Sequence, residues 1–425
     1  MHIFLKNLSQ RKALVNIGTL FSGSSIARIL SAITVFALAR QLGVETYGVY
    51  VASISLAKLT SVLFSLGLDS WLLRYGSRDK AHLSYVIGSS LLIKSGIGLL
   101  WFIGILLLSH FLDSTIFPST LIILSALAIW MEDLNNTVRS AFKAALQNRT
   151  TVWMMVGSQL LLLLITLSFI QLDITNPNNY MLGRVITYVI FGGISFFLAW
   201  KSFGIQYRLS SLPHVLREAL PFGISQGLAI IYERADIIII VYTLGKVAAG
   251  IYAPAVSLMT TLFLIPLAIY EVTLPIASKT HATDSTTLRK FAFRLFWTSS
   301  LLGIALGLGL VIIAYPLVWL FYGAEFIASA GILTILSMVL VFKCVSFGIA
   351  AFIIAVGWQS KRVVVQAVTA VFNIVTTYIV VQKYGLTGVA YVYIITEFVL
   401  MTGYLLLWLR WRPSLPTESS IPLTT

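Results

Sequence analysis

The sequence predicts an all-α membrane protein with about 12 transmembrane helices, arranged as two parallel-repeat six-helix bundles around a central cavity. Three observations predict this fold class: an apolar composition, a series of apolar segments of bilayer length, and an internal repeat. Apolar residues make up 58% of the 425 residues and charged residues only 10%, with a mean hydropathy of +0.92. Soluble domains carry roughly 25% charged residues, so this chain requires a lipid bilayer as its solvent.

A membrane-spanning helix needs about 20 mostly apolar residues, and twelve segments meet this requirement. Spans 1 to 12 are predicted at residues 14–38, 47–68, 83–109, 116–134, 151–170, 180–200, 217–243, 250–275, 290–314, 327–355, 362–381 and 386–409. Span 1 is too long for the apolar core of a signal peptide, and span 2 follows quickly, so we interpret it as a retained helix. Pro266 and Pro275 fall in span 8, where they either bend the helix or are simply tolerated.

The basic residues of the connecting loops indicate an even number of spans. With the N-terminus in the cytoplasm, 20 loop Lys and Arg residues lie on the cytoplasmic side, and four lie on the other side: Arg40, Arg184, Lys246 and Lys383. Cytoplasmic loops are enriched in Lys and Arg, and one missing or extra span would exchange the sides of every later loop. The sequence therefore predicts a multi-pass protein with both termini in the cytoplasm.

A short motif occurs twice at a constant offset. It runs Leu-Gly, Gly-Val-Tyr and Ser-Leu between Leu42 and Leu56, and returns as Leu-Gly, Gly-Ile-Tyr and Ser-Leu between Leu244 and Leu258. Each copy joins two spans, and six spans separate the copies, so both have the same orientation in the membrane. Tyr near Gly is common at membrane interfaces, but six identities in register favour a true repeat. Parallel repeats place the substrate site between the two halves.

The repeat divides the chain into two halves. We expect an N-terminal six-helix bundle at residues 1–205, a C-terminal six-helix bundle at 206–412, and a disordered tail rich in Pro, Ser and Thr at 413–425. A polar stretch from Lys201 to Arg217 separates the two bundles.

Motifs of soluble enzymes are absent from the sequence. It contains no Walker loop and no dinucleotide-binding fingerprint, and its five His residues and single Cys344 do not have metal-ligand spacing. We therefore predict no catalytic residue, no cofactor and no metal. The net charge of +14 would suggest nucleic acid in a soluble protein, but here it sets orientation, so no nucleic-acid partner is expected. Without an ATPase domain, transport must use a gradient.

Five basic residues lie inside the predicted spans rather than in loops. They are Arg28 in span 1, Lys58 in span 2, Lys94 in span 3, Arg234 in span 7 and Lys343 in span 10. A Lys or Arg at the bilayer centre costs roughly 2.5–3.5 kcal/mol, so these residues must face protein or a wet cavity. They predict a cationic cavity suited to an anionic substrate, and the planar fork of Arg binds two phosphate oxygens at once.

Each of these cations has an alternative interpretation as a structural ion pair. The acids available inside the spans are Glu233 and Asp236 in span 7, Glu271 in span 8 and Glu397 in span 12. Arg234 lies between the first two, and Lys94 and Lys343 are open to either role. Arg28 and Lys58 have no acid in spans 1 and 2, which favours the cavity role. Glu132 and Asp133 are expected at the end of span 4, near the membrane interface.

Three segments resemble a known family of membrane transporters. The segment from Ala39 to Tyr50 (ARQLGVETYGVY) resembles the span 1–2 signature of the polysaccharide transporter group, which includes the Wzx-type O-antigen flippases. Glu233-Arg234-Ala235-Asp236 through Gly250-Ile251-Tyr252-Ala253 is similar to the span 7–8 signature, and Tyr384-Gly385-Leu386-Thr387-Gly388-Val389-Ala390 to a late-span entry. The group belongs to the superfamily of multidrug, oligosaccharidyl-lipid and polysaccharide exporters. In span 7, Arg234 precedes Asp236 by two residues, whereas in the usual pattern the two are adjacent.

The resemblance implies a fold, a substrate and a location. It implies two bundles in a V shape, with a cavity lined largely by spans 1, 2, 7 and 8, and passage of an undecaprenyl-diphosphate-linked glycan from the cytoplasmic to the outer leaflet. The implied location is the bacterial inner membrane. The implied partners are a lipid-linked oligosaccharide, the lipid bilayer and the polysaccharide polymerase machinery.

Two alternatives of other classes stay open at this stage. A multidrug cation antiporter on the same fold would use Glu233, Asp236 or Glu271 to exchange a proton or sodium ion for a cationic drug, but the buried charges of spans 1 to 3 are basic. A membrane-embedded glycosyltransferase or polymerase would need larger outer loops with catalytic carboxylates. The sequence indicates neither the glycan nor the coupling ion.

Overall fold

A computed structural model describes residues 2–76, 80–207, 209, 212–283 and 285–411; the predicted tail at 413–425 lies outside them. In this part of the chain the regular structure is helical. The helices are α1 (His2–Thr60), α2 (Val62–Ser65), α3 (Leu68–Tyr75), α4 (Lys80–Leu108), α5 (Ser119–Ala144), α6 (Asn148–Gln171), α7 (Pro177–Phe203), α8 (Leu212–Leu244), α9 (Lys246–Thr261), α10 (Leu264–Thr283), α11 (Ser285–Tyr322), α12 (Ala328–Leu336), α13 (Val339–Ala355) and α14 (Gln359–Arg410), with a 3-10 turn at Ala324–Phe326.

The prediction of about twelve spans is confirmed. Across the described residues, nine helical stretches are long and apolar enough to cross a bilayer. Two of them, Gly18–Ser65 and Gln359–Arg410, contain 48 and 52 residues, and each bends at one glycine with a positive φ, 71° at Gly43 and 58° at Gly385. Each long helix therefore supplies two spans, and α8, with 33 residues, supplies the twelfth.

Three predicted spans are interrupted. Span 8 is divided between α9 and α10, and the break precedes Pro266. Because proline has no N–H, it cannot donate to the carbonyl of Leu262, four residues earlier, and the helical ladder is broken there. Span 10 is divided between α12 and α13, and span 2 continues into the short helices α2 and α3. Span 4 is longer than predicted, because α5 continues to Ala144.

The spans form two helical bundles with the lipid-facing surface expected of a membrane protein. The part of α1 before Gly43, named its first arm, packs on α6. In the same half α5 packs on α7, and in the other half α13 packs on α10, α11 and α14. The two bundles meet where α1 contacts α8 and α9. Large apolar side chains on the outer helices are exposed, among them Leu100 at 70%, Ile312 at 78% and Val368 at 63%. A bilayer covers such a surface without cost.

Candidate functional site

The halves meet at both ends of the molecule. The end that carries the bends at Gly43 and Gly245 is named the hinge face. The end that carries the end of α3 at Gly76 and the turns around residues 145–147 and 356–358 is named the basic face.

At the hinge face, α1 and α9 touch through two glycines of the repeated motif. A Cβ atom on Gly48 would lie 1.9 Å from the carbonyl oxygen of Lys246, and a Cβ atom on Gly250 would lie 2.0 Å from the carbonyl oxygen of Val44. Only glycine allows two helices to approach this closely. The repeat found in the sequence is therefore the contact that closes this end.

Polar contacts surround the glycine contact. Arg40 donates hydrogen bonds to the carbonyl oxygens of Trp319 (3.2 Å) and Leu320 (2.8 Å) in α11. The Lys246 ammonium lies 2.7 Å from a carboxylate oxygen of Glu45. Both side chains of that pair are substantially exposed, so it contributes at most about 1 kcal/mol.

At the basic face, α3 and α8 close the opposite end. A Cβ atom on Gly67 would lie 2.2 Å from the backbone nitrogen of Gly223, so this approach also requires glycine. Two hydrogen bonds cross the same junction: Trp71 Nε1 to Glu218 (3.0 Å) and Gln226 Nε2 to Ser70 (2.6 Å). The structure is therefore closed at both faces.

Between the two closures lies a central cavity of about 570 Å³. Ligand pockets typically measure roughly 300–1,000 Å³. Residues from both halves line it, and its polar side chains are mostly hydroxyls, including Ser31, Thr34, Tyr50, Thr166 and Ser257. The cavity also contains four basic side chains, Arg28, Arg184, Arg234 and Lys343, and one acidic side chain, Glu233.

Arg28 and Arg234 are the two cations of this cavity without an acidic partner among the described residues. Arg28 is exposed toward the cavity from the first arm of α1, and Arg234 is half-buried on α8. They come from opposite halves of the chain, so an anion placed between them would be held by both bundles.

Helical geometry explains the different positions of Arg234 and Asp236. Residues two apart on an α-helix point about 200° away from each other. Arg234 therefore lines the cavity, whereas Asp236 points into the C-terminal bundle, where only 2% of it is exposed. Its carboxyl oxygens accept hydrogen bonds from Tyr252 (3.3 Å) and Thr377 (3.5 Å). It has no cationic partner among the described residues.

Arg184 lines the cavity, although it was counted among the loop charges at the start of span 6. It lies inside α7 and donates to Glu132 at 3.2 Å. Its guanidinium lies 5.5 Å from the ring of Tyr188. Glu132 was expected near the membrane interface. It lies inside α5, where the ion pair with Arg184 compensates its charge.

Lys343 lies on the wall between two cavities. Its ammonium is 2.6 Å from Glu397, which is fully buried and also accepts from Tyr232. Lys343 lines the central cavity and a second cavity of about 310 Å³ inside the C-terminal bundle, which Arg362 also lines. The pair of Lys343 and Glu397 is thus both an internal ion pair and part of the cavity wall.

Lys94 has a different environment. It is fully buried, 2.8 Å from Asp69 and 2.7 Å from Asp133, and does not line the central cavity. Thr137 donates to Asp69 (2.7 Å) and Ser65 to Asp133 (3.1 Å). This network connects α3, α4 and α5. Of the two roles considered for Lys94, it corresponds to the structural ion pair and not to the cavity residue.

The remaining predicted residues lie outside the cavity lining. Lys58 is half-buried near the end of α1, where its charge acts on Glu132 and Asp133. Glu271 is exposed on α10. The structure therefore brings together Arg28, Arg234, Lys343 and Glu233 from the predicted set and adds Arg184.

Solved structures of transporters share this fold. An inward-facing multidrug resistance MATE family transporter of the MOP superfamily aligns with a TM-score of 0.74 at 17% identity, covering 90% of this chain and 94% of that one. The lipid II flippase MurJ, in an inward closed conformation, aligns with a TM-score of 0.68 at 17% identity, covering 92% and 87%. A MOP superfamily transporter from Pyrococcus furiosus gives 0.63 at 15% identity, covering 92% and 94%.

Sequence comparison identifies the family. None of the curated proteins matches this chain significantly. The family model described as polysaccharide biosynthesis protein matches residues 37–331, which include both copies of the repeated motif and the whole of α8. The chain therefore belongs to the polysaccharide biosynthesis protein family and has the fold of the MOP-superfamily transporters.

Proposed function

We propose that the protein is a flippase for an undecaprenyl-diphosphate-linked oligosaccharide, such as an O-antigen or exopolysaccharide repeat unit. It would move the glycan from the cytoplasmic to the outer leaflet of the bacterial inner membrane by alternating access. One observation carries this proposal. Arg28 and Arg234 have no acidic partner among the described residues, and they face one closed cavity from opposite halves of the chain. A diphosphate carries negative charge on several oxygens, and the arginine fork matches that geometry.

The other features of the cavity agree with a glycan headgroup. The lining hydroxyls offer donors and acceptors to sugars, and Tyr47, Tyr50, Tyr180 and Tyr393 offer rings that can lie against them. The lipid tail would remain in the bilayer. No covalent step is needed, and the protein would not act as an enzyme.

Alternating access requires the two closures to open one at a time. We propose that residues 1–205 and 206–412 move as two bodies about the central cavity. Opening between α3 and α8 admits the headgroup from the basic face, which we assign to the cytoplasm because basic loops remain there. Opening between α1 and α9 releases it on the other side.

Asp236 is the acid best suited to couple this motion to an ion gradient. It is buried and held by hydroxyls rather than by a cation. A buried carboxyl without a cationic partner favours binding of a proton or a small cation. Glu397, by contrast, is already occupied by Lys343.

The cavity charge argues against the alternative of a cationic-drug antiporter. Four basic side chains and one acidic side chain line the cavity. Even after the pairing of Arg184 with Glu132 and of Lys343 with Glu397, the two free arginines would repel a cationic drug.

Complementation of a bacterial strain without its own O-antigen flippase tests the proposal. We expect the wild-type protein to restore surface glycan and Arg28→Ala to abolish it at equal membrane abundance. Arg217→Ala, an exposed arginine of the basic face, is the matched control and should behave as wild type. Export by Arg28→Ala at the wild-type level would refute the cationic-cavity mechanism. If the wild-type protein does not restore surface glycan, dye efflux is measured in the same cells, and efflux would support the antiporter.

A further inference from the structure

A groove of about 580 Å³ lies on the outer side of the C-terminal bundle, away from the central cavity. It is formed where the beginning of α11 packs beside α13 and the end of α14. Its walls are apolar, and half of the apolar residues are aromatic: Phe293, Phe296, Phe352 and Trp408 lie beside Ala292, Ile349, Leu405 and Leu409. The ring centroids of Phe352 and Trp408 are 5.2 Å apart, so the two side chains pack against each other.

Three basic side chains line the same groove, and among the described residues no acidic side chain does. Arg289, Lys290 and Arg294 are all exposed. Lys290 and Arg294 are one helical turn apart and therefore lie on the same side of α11. None of the three has an ion-pair partner within the described ranges of the chain. All three lie in the first three turns of α11.

The depth of the groove in the bilayer is defined by aromatic residues. Trp297 and Phe293 are 59% and 64% exposed, and Trp408 stacks on Trp411 at 5.1 Å. Tryptophan is enriched at the level of the lipid headgroups. The basic side chains therefore lie at headgroup level, and the apolar walls continue toward the hydrocarbon region.

The geometry points to a binding site for an anionic phospholipid. The phosphate would lie among Arg289, Lys290 and Arg294, and an acyl chain would lie along Phe296, Ile349 and Phe352. Charge complementarity selects an anionic over a zwitterionic lipid, and basic pockets between spanning helices are typical sites for such headgroups.

The lipid would act as a structural ligand rather than as cargo. The groove shares no lining residue with the central cavity, so the site does not depend on what the cavity transports. It joins α11, α13 and α14 on the outside of one bundle. Occupancy would therefore stabilise that bundle as a unit.

Native mass spectrometry of the full-length protein with phosphatidylglycerol and phosphatidylethanolamine tests the site. We expect the wild type to retain phosphatidylglycerol selectively. The triple variant Arg289→Gln, Lys290→Gln, Arg294→Gln should retain at least about tenfold less, since it removes the three positive charges that attract the phosphate. The matched control, Arg149→Gln, Lys201→Gln, Arg217→Gln, removes the same charge from exposed positions outside the groove and should retain phosphatidylglycerol normally.

A second variant separates the headgroup from the acyl chain. Leu405→Trp keeps all three charges but fills the groove, and it should also lose selective retention while its thermal unfolding without lipid is unchanged. Equal loss in both triple variants, equal retention of the two lipids, or displacement by undecaprenyl phosphate would each overturn the assignment.

Discussion

Gly48 and Gly250 occupy equivalent positions in the two copies of the repeat and lie against each other's helices. Each one faces a carbonyl oxygen four residues before its counterpart, that of Lys246 for Gly48 and that of Val44 for Gly250. The contact is therefore symmetric, and neither helix can carry a side chain there without separating the halves.

Gly48→Leu should prevent closure of the hinge face and abolish transport. We expect a cysteine at Thr34, in a background where the single native Cys344 is replaced by Ala, to react with an impermeant maleimide several-fold faster in this variant. The reason is that the leucine side chain overlaps the backbone of α9. Gly104→Leu, where nothing lies within 4 Å of the added Cβ, is the control. Unchanged labelling in Gly48→Leu would contradict the closure assigned to this contact.

Lys94→Met should destabilise the N-terminal bundle without acting on the cavity directly. Removing the shared cation leaves Asp69 and Asp133 close together with uncompensated charge, and breaking a buried pair in this way costs roughly 3–5 kcal/mol. Thermal unfolding of the purified protein in detergent measures the loss.

The compensating variant distinguishes a structural role for Lys94 from a transport role. Lys94→Met combined with Asp133→Asn removes one negative charge together with the positive one. We expect it to recover part of the stability and most of the transport. A stable double variant that does not transport would place Lys94 in the transport mechanism instead.

Arg184→Gln should reduce glycan export by at least about tenfold. The substitution removes a cation from the cavity wall and leaves Glu132 unpaired beside it. Each lost charge-assisted hydrogen bond to phosphate is worth roughly 1.5–3 kcal/mol. Export is measured by surface-glycan staining at matched membrane abundance, and Lys201→Gln at the exposed end of α7 provides the comparison. Full export by Arg184→Gln would restrict the phosphate site to Arg28 and Arg234.

Asp236→Asn should uncouple transport from the ion gradient. The amide keeps its neighbours Tyr252 and Thr377 but cannot exchange a proton or balance a cation. We expect accumulation against a gradient to be lost in proteoliposomes, whereas movement of lipid-linked substrate down its own gradient continues. Glu271→Gln, on the exposed surface of α10, should leave both activities intact. If Asp236→Asn still accumulates substrate, coupling resides elsewhere.

The sequence predicted the spans because hydropathy and loop charge act locally. The repeat predicted two parallel halves, but not that its two copies touch: the contact of Gly48 with Lys246 and of Gly250 with Val44 required the structure. Arg28 and Lys58 were favoured as cavity residues because a mid-span cation without a neighbouring acid must face protein or a wet cavity. Arg28 lines the central cavity and Lys58 does not, whereas Arg234, which lies between two acids in the sequence and was left open to either role, does line it.

The ion pairs required tertiary structure. Asp69 precedes Lys94 by 25 residues, and Glu132 is separated from Arg184 by 52, so no helical spacing connects them. Glu132 and Asp133 were expected at the interface for the same reason: their partners come from other helices. Arg184 was counted among the loop charges because the sequence marks the start of a helix only approximately.

The symmetry of the Gly48 contact is the kind made by a two-fold homodimer, in which each surface meets its own copy. Here one chain makes the same kind of contact with two copies of its own motif. Because the copies are separate segments of one chain, each can carry its own side chains around the shared glycine contact. Glu45 in the first copy pairs with Lys246 in the second. The position equivalent to Glu45 in the second copy is Val247, and the position equivalent to Lys246 in the first copy is Val44, so this ion pair has no symmetric counterpart. The contact between the halves is therefore symmetric at the glycines and asymmetric three and four residues before them.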